Sequence, residues 1–132
     1  MKEKVSRWEL RLKNFKKSLG ALKRGLAIKN PNETERSGII QCFEVAFELG
    51  WKTLGDYLEK AGIDAKTPRE IIKHGFKSEM VKDAEIWFDA LDNRNLTTHT
   101  YDKDIVKAVL KSISGEYMKM LEALYEALSA KK

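Results

Sequence analysis

The stretch IIQCFEVAFELGWKTLGDYL, residues 39–58, decides the fold because it predicts one long helix that is apolar on nearly every face. Its polar positions form a narrow strip of Gln41, Glu44, Glu48 and Lys52. At about 100° per residue these four positions share one side of a helix, and the other sides are apolar. A helix of this kind is buried on more than one side. We therefore expect it to pack against more than one surface.

The same stretch carries more apolar surface than a small bundle buries. The surplus consists of Cys42, Val45 and Leu49 beside Phe43, Phe47 and Trp51. Such a surplus predicts a second surface against another chain, and we expect a homodimer through helix 33–61 and helix 83–101. Ala46 and Gly50, four residues apart, would let another helix come close.

Capping signals predict where the helices begin and end. Asn32, with Glu35 three residues on, predicts the start of a second helix that runs to about Ala61 and ends at Gly62. Thr67-Pro68-Arg69-Glu70 predicts a short third helix to about Phe76. A fourth helix starts near Asp83, and a fifth runs from an Asp102 cap to about Ala130.

The first and fifth helices have clear apolar stripes. These are Val5, Trp8, Leu12, Phe15, Leu19, Leu22 and Leu26 in the first, and Val106, Val109, Ile113, Tyr117, Met120, Leu124 and Leu128 in the fifth. The sequence has no strand pattern. We expect an all-α fold, an antiparallel up-and-down four-helix bundle with one extra short helix, in a single domain over residues 1–132.

Composition excludes several classes of function. With one cysteine and two histidines among 132 residues, the chain is short of ligands for a zinc or thiolate metal site, and we expect no metal and no cofactor. No apolar run approaches the length of a membrane span, so we expect a cytoplasmic protein with no membrane contact. Residues 1–29 carry ten Lys or Arg and two Asp or Glu, which leaves a net −3 for the rest. That basic helix is either a nucleic-acid surface or a solvated face.

The stretch DNRNLTTHTYDKD, residues 92–104, differs in character from the rest of the chain. On a helix, Arg94, Thr98 and Tyr101 continue the line of Trp87 and Leu91, so a core stripe becomes polar. A guanidinium in such a line is costly to bury unless its donors are satisfied. We therefore expect Arg94 at a wet end or cleft of the bundle, with carboxylate or phosphate partners.

The second chemical group of this stretch is His99, which would point about 140° away from Arg94 on an ideal helix. A helix end near His99, or two copies facing each other across a dimer axis, would bring the two together. The alternative is an ordinary salt-bridge arginine, a histidine that caps the helix and a core tyrosine at Tyr101. The other histidine, His74, lies in the short third helix and is given no role.

The order Arg94-Asn-Leu-Thr-Thr-His99-Thr-Tyr101 matches the R-x-x-x-x-H-x-Y motif of the HEPN superfamily, particularly its HepT-type toxins. The wider sequence, ERSGIIQCFEVAFELGWKTLGDYL, TPREIIKHGF and EIWFDALDNRNLTTHTYD, resembles the nucleotidyltransferase substrate-binding protein branch of that superfamily over nearly the whole chain. The resemblance implies a dimeric four-helix bundle that works beside a separately encoded minimal nucleotidyltransferase, as a two-gene toxin–antitoxin-like pair.

The resemblance also implies roles for individual residues. Arg94 and His99 would be the catalytic pair of a metal-independent ribonuclease, with RNA as substrate, and Tyr101 would accept AMP from the partner nucleotidyltransferase. Asn95 and Thr98 are candidates to orient phosphate oxygens, as is Asn93. Asp92 is a candidate to orient His99. The alternative hypotheses are a non-catalytic subunit that binds nucleotide or substrate for the nucleotidyltransferase, and a purely structural helical adaptor.

Overall fold

Helices joined by short connections make up the part of the chain that the structure describes, a computed structural model covering residues 6–94 and 102–132. They are α1 (Arg7–Leu26), α2 (Glu33–Lys60), α3 (Pro68–Lys77), α4 (Ala84–Asn93), α5 (Lys103–Ser112) and α6 (Met118–Ser129). A π-helical turn, Ile113–Tyr117, joins α5 to α6 as one continuous helix. The predicted all-α class and the up-and-down bundle are confirmed, with α3 as the extra short helix.

The predicted caps at Asn32 and Gly62 are confirmed. The Asn32 backbone N–H donates to the Glu35 side chain at 2.9 Å, and the Glu35 N–H donates to the Asn32 side chain at 2.8 Å. Together they form a capping box. Gly62, which follows the C-cap of α2, adopts a φ of 83°, and the Ile63 N–H donates to the Leu58 carbonyl at 2.8 Å. This is the left-handed turn that favours glycine at a helix end.

The helices α1 and α2 form a long antiparallel pair. At one end Gly25 of α1 lies against Ile39, and at the other the Arg11 guanidinium pairs with Asp56 at 2.8 Å. Burial raises the pKa of the Asp56 carboxyl despite the opposing effect of Arg11. The close approach predicted at Gly50 is within the bundle, because a Cβ there would lie 3.2 Å from the Phe15 ring.

The π-helical turn has a clear effect on the core. The Met118 N–H donates to the Ile113 carbonyl, five residues back, so this turn holds one residue more than an α-turn. Val109, Ile113 and Tyr117, spaced four apart, therefore stay on the buried side. The Tyr117 ring stacks on Phe43 of α2, with centroids 5.4 Å apart and planes at 20°.

Part of the predicted surplus apolar surface of α2 is present, whereas Phe43 and Phe47 are buried in the bundle core. Val45 is 45% exposed, and Cys42, Leu49 and Trp51 are half-buried. A dimer through this surface stays a prediction. None of the helices that the structure describes combines the length and the apolar character that crossing a bilayer requires.

The described part of the predicted fourth helix is α4. The sequence pattern predicted a helix over 83–101, and α4 spans Ala84–Asn93 with Arg94 as its C-cap. The Arg94 N–H donates to the Ala90 carbonyl, so the helical hydrogen bonding reaches Arg94. The predictions for Val5 and for residues 95–101 lie outside the described residues.

Candidate functional site

The end of α4 is where the structure puts the first motif residue. The Asp83 side chain caps the start of the helix by accepting the Ile86 N–H at 3.4 Å. Trp87 and Leu91 are buried, and the Trp87 ring packs against Phe47 of α2 at a centroid distance of 5.5 Å. These contacts hold one side of α4 on the core. The same side of the helix ends at Arg94, as the spacing predicted.

Arg94 lies at a polar edge of the bundle. Its Nη1 is 3.3 Å from Oε1 of Glu48, and the two side chains are 31% and 38% exposed. Lys52, four residues along α2, places its Nζ 3.6 Å from Oε2 of the same carboxylate. We predicted Arg94 at a solvated end or cleft with carboxylate or phosphate partners, and it lies partly exposed beside the Glu48 carboxylate. The pair offsets part of the cost of removing the guanidinium from water.

A second polar group lies beneath the end of α4. The Asn93 Nδ2 donates to the Tyr117 hydroxyl at 2.7 Å, and that hydroxyl donates to Oδ2 of Asp89 at 2.6 Å. Tyr117 is fully buried, and burial followed by the Asp89 hydrogen bond raises its pKa to about 12. The phenol is therefore neutral and available as a donor at physiological pH. This network ties the residue before Arg94 to the π-helical turn.

This network was not predicted from the sequence. Tyr117 belongs to the apolar stripe of the last helix, a pattern that is right for the ring but gives no information on the hydroxyl. Asn93 was a candidate to orient phosphate oxygens, whereas its amide is directed to Tyr117. Asp89 and Asn93 are four residues apart and share one side of α4, so a paired polar patch beside a buried tyrosine was the available signal.

Asp92 points to a different neighbour from Arg94. Its Oδ1 lies 3.4 Å from Nη2 of Arg69 in α3, and its side chain is 70% exposed. The Arg69 guanidinium also lies over the Phe88 ring, 4.9 Å from the centroid. Two residues apart on a helix means about 200°, so Asp92 is directed toward α3 while Arg94 is directed toward α2. The structure does not bring these two predicted site residues together.

Four predicted site residues, Asn95, Thr98, His99 and Tyr101, lie outside the described residues. His74, given no role, lies half-buried near the end of α3, and its carbonyl accepts the Ser78 N–H at 2.9 Å. Within residues 6–94 and 102–132, no three His, Cys, Asp or Glu side chains form a group that would hold a metal ion.

Fold and site together define a class: a small helical bundle that presents a motif arginine at the end of a core helix. A family model described as "Nucleotidyltransferase substrate binding protein like" matches residues 10–130. The chain belongs to that family, the branch of the HEPN superfamily that its sequence resembles.

Individual relatives agree with this membership. "Probable ribonuclease HepT" of Haemophilus influenzae is 30% identical over 86 residues, which are 61% of this chain and 59% of that protein. The chain thus spans less than two thirds of that relative's length. A crystal structure of a Thermus thermophilus protein matches with a TM-score of 0.79 and 31% identity, over 86% of this chain and 98% of that one.

A second solved structure shares the fold. It is a Haemophilus influenzae protein described as having the fold of a substrate binding domain of a nucleotidyltransferase. It matches with a TM-score of 0.79 and 24% identity, over 89% of this chain and 98% of that one. At this identity the likeness concerns the fold alone.

Proposed function

We propose that this protein is the toxin-like component of a two-gene HEPN and minimal nucleotidyltransferase system, and that it cuts RNA as a homodimer without a metal ion. The observation that carries the proposal is Arg94, a half-buried guanidinium held at the end of α4 by Glu48. Family membership and a curated relative named as a ribonuclease support it.

The proposed chemistry needs a base, an acid and positive charge on the phosphorane. His99 removes the proton of a ribose 2′-hydroxyl, and that oxygen bonds to the adjacent phosphorus while the bond to the 5′ oxygen breaks. The leaving oxygen takes a proton from a protonated His99 of the second copy or from water. Arg94 stabilises the charge on the phosphate oxygens. Asn95 and Thr98 orient the phosphate, and Asp92 orients His99.

Two copies are part of the proposal because each chain has a single histidine in the motif. Acid and base would then come from two subunits that meet at the motif. The surplus apolar surface of α2 around Val45 supports a dimer, since exposed apolar patches mark protein contacts.

The proposed regulation is attachment of AMP to Tyr101 by a partner nucleotidyltransferase. The phenolic oxygen of Tyr101 forms a bond to the α-phosphorus of ATP, pyrophosphate leaves, and the phenolic proton passes to a base on the partner or to water. The product places a bulky, negatively charged group two residues from His99, which repels an RNA phosphate. Co-expression with the neighbouring nucleotidyltransferase and mass spectrometry of the Tyr101 peptide test this step.

The central experiment is cleavage of purified tRNA and mRNA in the presence of EDTA. We expect products with 5′-hydroxyl and 2′,3′-cyclic phosphate ends. Arg94→Ala and His99→Ala should each lower the rate by at least about 100-fold. Arg36→Ala and His74→Ala are matched controls, since Arg36 is another half-buried arginine whose Nη1 donates to the Pro31 carbonyl at 2.7 Å. RNA that stays intact on long incubation, with no slowing of growth on expression alone, would refute the proposal.

A second candidate is a non-catalytic subunit that presents a nucleotide or substrate to the nucleotidyltransferase. The description of the matching family favours it. In this case Arg94 binds a nucleotide phosphate and no bond in RNA is cut. Calorimetry should then show that Arg94→Ala abolishes nucleotide binding while His99→Ala has a smaller effect. Equal loss of RNA cleavage in both variants would contradict this alternative.

A further inference from the structure

A groove of about 490 Å³ lies between α1 and the end of the chain, apart from Arg94. Its polar lining consists of Glu9, Lys13, Lys16, Lys17, Tyr125 and Lys132. Among the residues of this groove that the structure describes, Glu9 is the one acidic side chain. Four ammonium groups around one concave surface create a field that attracts a polyanion.

We propose that this groove binds the backbone of single-stranded RNA, and that Tyr125 stacks on one of its bases. The inference rests on the proposed function for the identity of the polyanion. It adds a binding site that does not use the motif, because the groove is built from α1 and α6 whereas Arg94 ends α4.

The spacing of the lysines suits a chain of phosphates. Lys13 is three residues before Lys16 and four before Lys17, and side chains at these spacings are neighbours on a helix surface. All three are exposed, so each ammonium can contact a phosphate without prior desolvation. On the α6 side, the exposed Glu122 and Glu126 flank Tyr125 along the helix. The phosphates therefore lie along α1.

Tyr125 supplies the second element of a single-strand site. Proteins that bind single strands combine a basic groove with aromatic rings on which bases stack. Tyr125 is half-buried and its ring packs edge-on against the fully buried Phe15, with centroids 6.1 Å apart and planes at 64°. That contact fixes the ring before RNA arrives, so little side-chain freedom is lost on stacking.

The test measures binding of a short fluorescein-labelled single-stranded RNA by anisotropy over a series of salt concentrations. The groove variant is Lys13→Gln/Lys16→Gln/Lys17→Gln. Three phosphate contacts account for a slope of about 2 in a plot of log affinity against log salt. We expect the variant to lose that slope and to bind about tenfold more weakly at low salt.

The matched control is Lys66→Gln/Lys73→Gln/Lys77→Gln, which removes the same charge from exposed lysines in and before α3. It should bind within about twofold of the unmodified protein. Equal weakening in both triple variants would overturn the inference, because the effect would then be one of net charge. Unchanged binding in the groove variant would also overturn it, as would binding to phosphatidylserine vesicles in place of RNA.

Tyr125 is tested by two substitutions. Tyr125→Phe keeps the ring and should bind RNA normally, whereas Tyr125→Leu should bind at least about fivefold more weakly. Thermal unfolding identifies any loss of packing against Phe15 in the leucine variant. Equal binding by both variants would refute the stacking role.

Cleavage separates this inference from the proposed function. If the unmodified protein cuts no RNA and the groove variant has lost salt-dependent RNA binding, the groove proposal is supported and the nuclease proposal fails. If the groove variant cuts RNA with an unchanged KM, the nuclease proposal is supported and the groove fails.

Discussion

The guanidinium Nη1 of Arg94 lies 3.3 Å from Oε1 of Glu48, which ties the end of α4 to the middle of α2. The other oxygen of the Glu48 carboxylate, Oε2, lies 3.6 Å from Nζ of Lys52. A phosphate that reaches Arg94 must approach this carboxylate, and like charges repel. Under the proposed function, Glu48 sets both the position of the Arg94 guanidinium and its attraction for RNA.

Glu48→Gln separates these two effects. Loss of the negative charge should lower KM for RNA about fivefold, because about 1 kcal/mol of repulsion is removed. Loss of the charged partner should also lower kcat about tenfold, since the guanidinium is held less firmly. Steady-state cleavage kinetics measure both. Glu85→Gln, an exposed residue in the first turn of α4, should leave both constants unchanged, and two unchanged constants in Glu48→Gln would exclude a role for Glu48.

Tyr117→Phe tests the network beneath the motif. The variant keeps the ring but leaves Asn93 and Asp89 without their shared hydroxyl, which should cost about 1 to 2 kcal/mol of unfolding free energy at neutral pH. Urea unfolding measures this cost. A variant as stable as the unmodified protein would show that the two hydrogen bonds add nothing.

The pH dependence of the same variant has a defined sign. The pKa of Tyr117 rises from its ordinary 10.0 to about 12 in the folded protein, so folding favours the neutral phenol. The resulting stability is fully present below pH 10 and is lost as the pH rises toward 12. The difference in unfolding free energy between the unmodified protein and Tyr117→Phe should therefore shrink above pH 10. Tyr57 is a half-buried tyrosine of α2 whose ring packs against Trp8, so Tyr57→Phe is the control. The unfolding free energy of this variant should still fall above pH 10.

The features of this fold that depend on residues close together in the sequence could be predicted from it. The box of Asn32 and Glu35 spans three residues, and its bonds follow from local backbone geometry. The cost of burying a guanidinium also predicted that Arg94 needs a carboxylate or phosphate partner. That cost did not identify Glu48, which is 46 residues away and meets Arg94 only through the packing of α4 on α2.

The features that sequence reasoning missed depend on tertiary contacts. Tyr117 fits an apolar stripe equally well with or without a partner for its hydroxyl, and Asp89 becomes that partner only when α4 packs on the π-helical turn. The line through Trp87 and Leu91 predicted the face of α4 correctly as far as its C-cap, Arg94. A side-chain pattern predicts the face of a helix better than its end.

Two of the three glycines of α2, Gly50 and Gly38, provide a paired test of packing. A Cβ at Gly50 would lie 3.2 Å from two atoms of the Phe15 ring, so Gly50→Ala should destabilise the fold by about 1 to 3 kcal/mol. Outside the helix's own turn, no atom of the described residues lies within 4 Å of a Cβ placed at Gly38. Gly38→Ala should stabilise the fold by about 0.5 to 1 kcal/mol through helix propensity alone. Denaturant unfolding measures both, and equal effects would show that the core opens to accept the methyl group.

Val45→Glu tests the predicted dimer. Val45 is 45% exposed on α2 between the half-buried Cys42 and Leu49, so a carboxylate there faces solvent in a monomer but is buried without a partner in a dimer. Light scattering after gel filtration should find a dimer for the unmodified protein and a monomer for Val45→Glu. RNA cleavage should fall at least about tenfold in the monomer if acid and base come from two copies.

Phe76→Glu is the matched control for Val45→Glu, because Phe76 is another large apolar side chain, 52% exposed, on α3 instead of α2. It should remain a dimer with full activity. A dimeric Val45→Glu would locate the interface away from this part of α2, and a monomeric Val45→Glu with full cleavage would separate dimerisation from catalysis. That last result would leave water as the second proton carrier beside His99, since each chain has no other histidine in the motif.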